Sequence, residues 1–375
     1  MTGAIYLDYQ ATTPLAPEAL AAMTPWLEPG FANPHSPHAP GRAARAAVEL
    51  ARDRVTGALG LDGGRLIFTS GATEAANMAI QGLMIAAPAR RRKIVTIATE
   101  HACVRDTALW LGSHGFDCVL LPVHGDGLVD LDAAAAEIDD KTALVAAMLV
   151  NNEIGVIQPI SALSALARAA GAAFFCDAVQ GFGRVDLPAS ACDMVAVSAH
   201  KLYGPKGVGA LWLADGMEVE PIIHGGAQEG GLRSGTLSPA LCAGFGAAAA
   251  LMVERRTADA DHVATLAEAA RSGFGDWEIN GSISDRYAGN LNFRRNGVDA
   301  ARLISEVRSV AFSAGSACAS GSGRPSHVLS ALGLTDAEAR ASIRLGFGRY
   351  TSIADIERAA ALIGEAADRQ RALAA

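Results

Sequence analysis

Short runs of consecutive apolar residues alternate with amphipathic stretches through the first two thirds of the chain. Unbroken apolar runs separated by helices predict a mostly parallel sheet that is covered on both faces. The alanine-rich stretches Glu74–Ile85 and Leu163–Ala170 have the helical pattern. The predicted strands are Leu66–Thr69, Ile94–Ala98, Cys118–Leu121, Leu144–Val150, Ala173–Cys176, Met194–Ser198 and Val208–Leu213. The pattern therefore predicts an α/β fold with a seven-stranded central sheet.

The last third of the chain predicts a smaller α/β unit. A helical pattern from Leu241 to Ala270 leads into it, and no Pro-rich or Gly/Ser-rich linker precedes it, so we expect a long helix as the connection. The later elements are Leu291–Phe293, Ala300–Val307, Val310–Ser313, His327–Leu332, Ser342–Gly346 and Ile353–Leu373. We predict a large domain over 16–255, and a small domain formed by 1–15 and 256–375.

Composition and charge exclude several classes of protein. The 375 residues are 50% apolar and 19% charged, which is typical of a globular chain with a sizeable core. A net charge of −8 argues against a chain-wide basic surface for nucleic acid. No apolar run is long enough for a membrane span, and the first 15 residues lack the pattern of a secretion signal. We expect no nucleic-acid partner and no membrane partner.

The six cysteines are scattered, and no C-x-x-C pair occurs among them. That spacing argues against a zinc site or a disulfide framework, so we expect no metal and a reducing cytoplasmic location. Five of them lie in or beside apolar segments, where a thiol usually serves as packing. Cys318 differs because small residues surround it from position 314 to 323, which favours a reactive thiol on a mobile loop as much as an ordinary free surface cysteine.

A glycine turn joins the first predicted strand to the next helix. It carries Ala72 and Thr73, in the sequence SGATE. Free backbone N–H groups and the positive end of the helix dipole at such a turn form a phosphate cradle, to which Thr73 adds a hydroxyl. The alternative is an ordinary helix N-cap with a glutamate in the first turn, and capping signals of this kind are common.

Asp177 ends an apolar strand, where a carboxylate is costly unless it meets a cation or several donors. Ligands of parallel sheets bind at this end of the strands, so Asp177 is a candidate partner for a protonated ring nitrogen, with Gln180 as a neighbouring donor. Capping of a following helix is an equally good interpretation.

The segment SAHKLYGPKG follows another apolar strand and contains two lysines. A partly desolvated lysine at a strand end can act as an amine nucleophile, and Ser198 and His200 are placed to bind a phosphate beside Lys201. Lys206 competes for the nucleophilic role, but its position between proline and glycine favours an exposed turn.

Other polar residues could hold a substrate. Arg344 lies in an apolar strand pattern and would offer a bidentate fork to a carboxylate, whereas Arg349 lies at the end of that pattern. His101 and Asn152 each follow a predicted strand. A surface arginine and a satisfied turn residue are the common alternatives for these types.

Ten motifs in order carry a family resemblance over nearly the whole chain. They are LDYQATTP, NPHSPH, SGATEAAN, TEHACV, VNNEIG, CDAVQ, SAHKLYGPKG, RSGT, SAGSACAS and SIRLGFGR. In this order the chain closely resembles the cysteine desulfurases, in the group typified by NifS and IscS. The resemblance implies the fold type I architecture of pyridoxal-phosphate enzymes, pyridoxal 5'-phosphate as the cofactor and a homodimer.

The resemblance also implies roles for individual residues. Lys201 would hold the cofactor as a Schiff base, Asp177 would pair with its ring nitrogen, Gln180 would bind its ring oxygen, and His101 would stack on the ring and take part in proton transfer. The expected phosphate ligands are Ala72, Thr73, Ser198, His200 and, from the other subunit, Thr236. Arg344 would bind the substrate carboxylate with help from Asn33 and Asn152, the latter also beside the cofactor.

The implied reaction converts L-cysteine to L-alanine. Lys201 would remove the α-proton, and the Cys318 thiolate would attack the substrate sulfur and carry it as a persulfide to an acceptor protein, for which an iron–sulfur scaffold is one candidate. Alternatives are a selenocysteine lyase, another fold type I enzyme such as an aminotransferase, and a silent sulfur-relay protein. The motifs depart from the usual pattern at Gln10, Ala199, Ala227 and Gly230.

Overall fold

The structure is a computed structural model that describes residues 3–314 and 326–374, so Cys318 lies outside the described residues. The strands are β1 (Ile5–Tyr6), β2 (Arg65–Thr69), β3 (Lys93–Ile97), β4 (Asp117–Leu121), β5 (Thr142–Met148), β6 (Ala173–Asp177), β7 (Met194–Ser198), β8 (Gly209–Leu213), β9 (Glu278–Ile279), β10 (Asn290–Arg294), β11 (Val310–Ala311) and β12 (Ser342–Gly346). The helices are α1 (Pro17–Met23), α2 (Ala39–Leu59), α3 (Ala72–Ala86), α4 (Ala102–Gly112), α5 (Leu131–Glu137), α6 (Ile160–Ala169), α7 (Pro239–Gly273), α8 (Ala300–Glu306), α9 (His327–Ala331), α10 (Asp336–Arg340) and α11 (Ile353–Ala374).

Seven strands form the central sheet in the order β2-β8-β7-β6-β5-β3-β4. Strand β8 is antiparallel to both of its neighbours, and the pairs among β7, β6, β5, β3 and β4 are all parallel. The predicted seven-stranded, mostly parallel sheet is confirmed. Strands β2, β3, β5, β6 and β7 therefore end at the same edge of the sheet.

Both faces of the central sheet are covered, as its unbroken apolar strands predict. Successive residues of a strand point to opposite faces. In β6, Phe174 and Cys176 join one hydrophobic cluster with side chains of α2, α6 and α7. Phe175, between them, joins a second cluster with side chains of α3 and α4.

A smaller antiparallel sheet has the order β12-β10-β9 and its own hydrophobic cluster, which includes Phe293 and Ile343. The 35-residue helix α7 supplies Phe245 to a cluster of the central sheet and Leu266 to this one, so the predicted connecting helix is observed. The limits of the two domains, 16–255 and 1–15 with 256–375, stay a prediction.

The N-terminal segment joins the small sheet to the edge where the central strands end. Strand β1 pairs in parallel with β11, and Asp8 forms a bridge with Gly346 of β12. Residues 10 to 13 then run beside the turn that follows β7, where both the amide and the hydroxyl of Thr13 donate to the carbonyl of His200 at 2.9 Å. Within residues 3–314 and 326–374, no helix has the length and hydropathy needed to cross a bilayer.

Candidate active site

Several of the predicted site residues lie at one edge of the sheet because parallel strands end together. Asp177 is the last residue of β6, Ser198 is the last of β7, and Lys201 closes the short helical turn that follows. His101 and Asn152 come four residues after the ends of β3 and β5. We call Asp177, His101 and Lys201 the strand-end cluster.

The amine of Lys201 is oriented by the N-terminal segment. Its Nζ donates to the carbonyl oxygens of Gln10 at 2.5 Å and Ala11 at 2.9 Å. Nε2 of Gln180 donates to the same Gln10 carbonyl at 2.9 Å. Two predicted site residues are thus held by one backbone oxygen, and this role of Gln10 was not predicted from its sequence.

Asp177 is 5% exposed, and its Oδ1 accepts a hydrogen bond from the amide of Val179 at 3.0 Å. Burial raises the pKa of this carboxyl, and the nearby His101 and Lys201 act in the opposite direction. The carboxylate caps a turn rather than a helix, because the residues after β6 form turns. A buried acid that is only partly balanced in this way suits a cationic ring nitrogen.

His101 is the N-cap of α4, and its Nδ1 accepts from the backbone N–H of Cys103 at 3.2 Å. The same nitrogen lies 3.0 Å from Sγ of Cys103. Burial lowers the pKa of His101, Lys201 and His327 act in the same direction, and Asp177 opposes them. The ring is therefore biased toward its neutral form.

Glu100 is a site neighbour that the sequence reasoning missed. It is fully buried, and its Oε1 accepts from the amide of Met148 at 2.5 Å. Oε2 has no hydrogen-bond partner among the described residues. Burial and the charge of Asp177 raise the pKa of Glu100 well above its usual range. A carboxylate directly before His101 in the motif TEHACV is the signal that could have found it.

The glycine turn that the sequence predicts as a phosphate cradle joins β2 to α3. Gly71 precedes α3 with φ +157°, and among the described residues no side chain caps this helix. A Cβ on Gly209 of β8 would come within 2.7 Å of the Gly71 backbone, so glycine is required for this close approach. Glu74 lies in the first turn, as the alternative interpretation expects, and accepts hydrogen bonds from the amide of Ser70 and from Nε of Arg233.

Two other expected phosphate ligands, Ser198 and His200, lie at the end of β7 and in the short helical turn that follows it. Ser198 is buried, and Nδ1 of His200 lies 3.1 Å from Oγ1 of Thr12. Burial, Lys201 and Lys206 lower the pKa of His200 to about 4, so this ring is neutral at physiological pH. A cavity of about 550 Å³ is lined by residues that include Thr73, His101, Cys103, Asp106, Thr107 and Trp110.

Arg344 is 1% exposed and lies in the middle of β12, as its apolar pattern predicts. Its Nη2 donates to Oδ1 of Asp8 at 2.6 Å, and its Nη1 donates to the carbonyl of Asn152 at 2.9 Å. Its Nε has no partner within the described ranges. Arg349, the alternative, forms an ion pair with Asp259 at 2.6 Å instead.

Two predicted site residues lie apart from this group in the described part of the chain. Asn33 is exposed, and its Oδ1 accepts from the amide of His35 at 2.9 Å. Thr236 is also exposed. Cys318 lies outside the described residues, so the roles of all three stay predictions.

The chain matches the family model "Aminotransferase class-V" over residues 5–359. It is 41% identical over 382 residues to a "Cysteine desulfurase IscS" of Rickettsia akari (strain Hartford), a match that covers all of this chain and 93% of that one. Among solved structures it is similar to a "NIFS-like protein", with a TM-score of 0.92, 29% identity and coverage of 98% and 100% of the two chains. It is also similar to the structure "SspA in complex with cysteine", with a TM-score of 0.83, 34% identity and coverage of 92% and 99%.

Proposed function

The chain belongs to the aminotransferase class-V family, and we propose that it is a pyridoxal-phosphate-dependent cysteine desulfurase, which converts L-cysteine to L-alanine and passes the sulfur to an acceptor. The expected family, fold class and cofactor are confirmed by the full-length matches to cysteine desulfurases and NifS-like proteins. None of the relatives described above carries a name that favours a selenocysteine lyase. The observation that carries the proposal is the convergence of Lys201, Asp177 and His101 at one edge of the sheet.

The residues present fit pyridoxal phosphate. The amides at the start of α3 can receive its phosphate, because no described side chain caps them and Gly71 and Gly209 keep the turn open. The buried carboxylate of Asp177 suits a protonated ring nitrogen. When bound, this cofactor serves as an electron sink for the amino acid substrate.

Each member of the strand-end cluster then has a distinct task. Lys201 supplies the amine that holds the cofactor and takes the α-proton of the substrate, and the carbonyls of Gln10 and Ala11 orient that amine. Asp177 places a carboxyl group in a buried position, where it would pair with the ring nitrogen, and His101 offers a neutral ring for stacking and proton transfer.

We assign the substrate carboxylate to Arg344. Asp8 and the carbonyl of Asn152 fix its guanidinium, and its buried Nε has no partner within residues 3–314 and 326–374. A guanidinium fixed in this way is preorganised for a carboxylate. Asn152 contributes to this site through its backbone, and Asn33 is a further ligand that the resemblance suggests.

The sulfur-accepting thiol in this proposal is Cys318, on the motif resemblance alone. Its thiolate attacks the sulfur of the substrate, so a sulfur–sulfur bond forms and a persulfide remains on Cys318. The carbon–sulfur bond breaks with its electron pair left on the substrate carbon, which takes up a proton on the way to alanine. We propose a protein acceptor for this sulfur, with an iron–sulfur scaffold as one candidate, and a location in the cytoplasm.

We also propose a homodimer in which Thr236 reaches the phosphate of the partner's cofactor. The exposure of Thr236 supports this arrangement, and so do the exposed apolar side chains of Leu27 and Phe31, which are 61% and 88% accessible. The cavity beside Thr73 and His101 would accept such a segment.

The proposal is tested by assaying alanine and sulfide formed from L-cysteine in the presence of a thiol reductant. We expect Cys318→Ala to abolish both products while the absorbance of the bound cofactor remains, and Cys118→Ala, which changes a half-buried thiol of β4, to retain the wild-type rate. A full rate in Cys318→Ala would remove that residue from the reaction. Keto acid in place of alanine would identify an aminotransferase.

A further inference from the structure

The thiol of Cys103 contacts a residue of the strand-end cluster. Its Sγ lies 3.0 Å from Nδ1 of His101, well inside the distance of a hydrogen bond that involves sulfur. Cys103 is 9% exposed, and it lines the 550 Å³ cavity together with His101 and Thr73. The mechanism proposed above does not use this cysteine.

The backbone decides which nitrogen of His101 carries the proton. The N–H of Cys103 points at Nδ1 from 3.2 Å, as the N-cap geometry of α4 requires. An N–H donor so close leaves Nδ1 only the role of acceptor, because two N–H groups would otherwise face each other. The thiol at the same nitrogen must then also act as a donor, and the two donors share one lone pair.

We propose that the Cys103 thiol donates a hydrogen bond to Nδ1 of His101 and holds the ring in the Nε2–H tautomer, so that Cys103 is a positioning residue for the desulfurase reaction. The expected effect of Cys103 on the reaction rate rests on the proposed function. The tautomer itself follows from the two contacts at Nδ1.

A charged thiolate–imidazolium pair is the alternative, and the surroundings disfavour both of its members. The thiolate would lie near the carboxyl groups of Asp177, Glu100 and Asp106, and burial raises the pKa of Cys103 well above its usual range. The imidazolium would lie near Lys201 and His327, and burial lowers the pKa of His101, with Asp177 and Asp106 in opposition. The neutral pair therefore has the lower free energy.

The neutral pair gives His101 a fixed orientation. With Nδ1 occupied by two donors, the Nε2–H group is left to donate toward the site. Loss of the thiol would leave the backbone N–H of Cys103 as the donor to Nδ1. The neutral form of the ring would then be stabilised by one hydrogen bond fewer. Protonation of His101 would then begin at a higher pH.

The test measures the tautomer of His101 by nitrogen NMR and the rate of desulfuration in variants of Cys103. In the protein labelled with [15N]histidine, we expect the His101 ring, assigned by the signal that His101→Asn loses, to show an unprotonated Nδ1 and a protonated Nε2. We expect Cys103→Ala to lower kcat for L-cysteine roughly fivefold and to move the acid limb of its pH profile upward, since one hydrogen bond is lost. Cys103→Ser, which keeps a donor, should restore both, and Cys118→Ala should match the wild type.

A protonated Nδ1 in the wild type would overturn the proposal. So would a Cys103→Ala profile that coincides with that of Cys118→Ala. If the Nδ1 signal of His101 shows the expected tautomer and shifts between the wild type and Cys103→Ala while L-cysteine yields no alanine, the hydrogen bond stands and the desulfurase assignment falls, so the two failures are distinguishable.

Discussion

The strand-end cluster and the Arg344–Asp8 pair balance their buried charges in different ways. In the strand-end cluster, Asp177, His101 and Lys201 come from three separate strand ends. The pKa values of Asp177 and His101 each depend on the charges of the other two members. The pKa of Asp177 is raised and that of His101 is lowered, with burial as the largest cause for each. In the second region, Arg344 already forms a 2.6 Å ion pair with Asp8.

This difference distinguishes a site that binds a cofactor tightly from a site that binds and releases a substrate. The buried charges of the strand-end cluster only partly balance one another. A cofactor that balances the remainder would therefore bind more tightly. The charge of Arg344 is already paired with Asp8 before any ligand arrives, although its Nε has no partner within the described ranges, so a substrate carboxylate has to compete with Asp8. We expect tight cofactor binding in the first region and readily reversible substrate binding in the second.

The largest expected effect comes from the amine of the strand-end cluster. Lys201→Ala should lower alanine production on the order of 1,000-fold or more, because among the described residues no other amine is held by the Gln10 and Ala11 carbonyls. It should also remove the absorbance of covalently held cofactor. The matched control is Lys206→Ala, whose exposed side chain should be dispensable. Equal activity of the two variants would contradict the role of Lys201.

The second expected effect concerns the arginine. Arg344→Lys keeps the charge but loses the planar fork, so KM for L-cysteine should rise roughly 10- to 100-fold with a smaller change in kcat. Initial rates at varied L-cysteine concentration measure both constants. Arg349→Lys, which alters the ion pair with Asp259, is the control and should keep the wild-type KM. An unchanged KM in Arg344→Lys would show that the carboxylate binds elsewhere.

The third effect is a change in how stability depends on pH. The pKa of Glu100 is raised in the folded state, so its contribution to the free energy of unfolding is present at low pH and declines as the pH rises through the folded-state pKa. Glu100→Gln keeps the bond from Met148 and cannot ionise. We expect it to be more stable than the wild type at alkaline pH by on the order of 1–3 kcal/mol.

Urea unfolding at pH 5, 7 and 9 measures this difference. The gap between Glu100→Gln and the wild type should widen toward pH 9, whereas the exposed Glu254→Gln should show no such trend. A constant gap at all three values would mean that Glu100 is ionised in both the folded and the unfolded state over this range, which would contradict its raised pKa. Burial and the charge of Asp177 would then act on Glu100 more weakly than its surroundings indicate.

The smallest effect tests whether Asp8 competes with the substrate. Asp8→Asn keeps an oxygen for Nη2 of Arg344 but removes the negative charge, so KM for L-cysteine should fall roughly two- to fivefold. Asp186→Asn, which removes a carboxylate from the exposed ion pair with Arg256, should leave KM unchanged. A higher KM in Asp8→Asn would mean that Asp8 orients the arginine instead of opposing the ligand.

The central sheet could be predicted from the sequence because its strands are buried on both faces and show as apolar runs. Lys201 and Asp177 were found for a related reason, since each closes or follows such a run. Asp8 could not be predicted, because it meets Arg344 from 336 positions away along the chain. The roles of Glu100 and of the Gln10 carbonyl also depend on contacts between distant segments.

The length of α7 has a consequence for how the molecule melts. This single helix of 35 residues places Phe245 in the hydrophobic core of the large unit and Leu266 in the hydrophobic core of the small one. Thermal unfolding of either core removes the packing of the shared helix and therefore destabilises the other core. Scanning calorimetry should record a single endothermic peak rather than two, and a glycine introduced midway, at Ala258, should begin to split it.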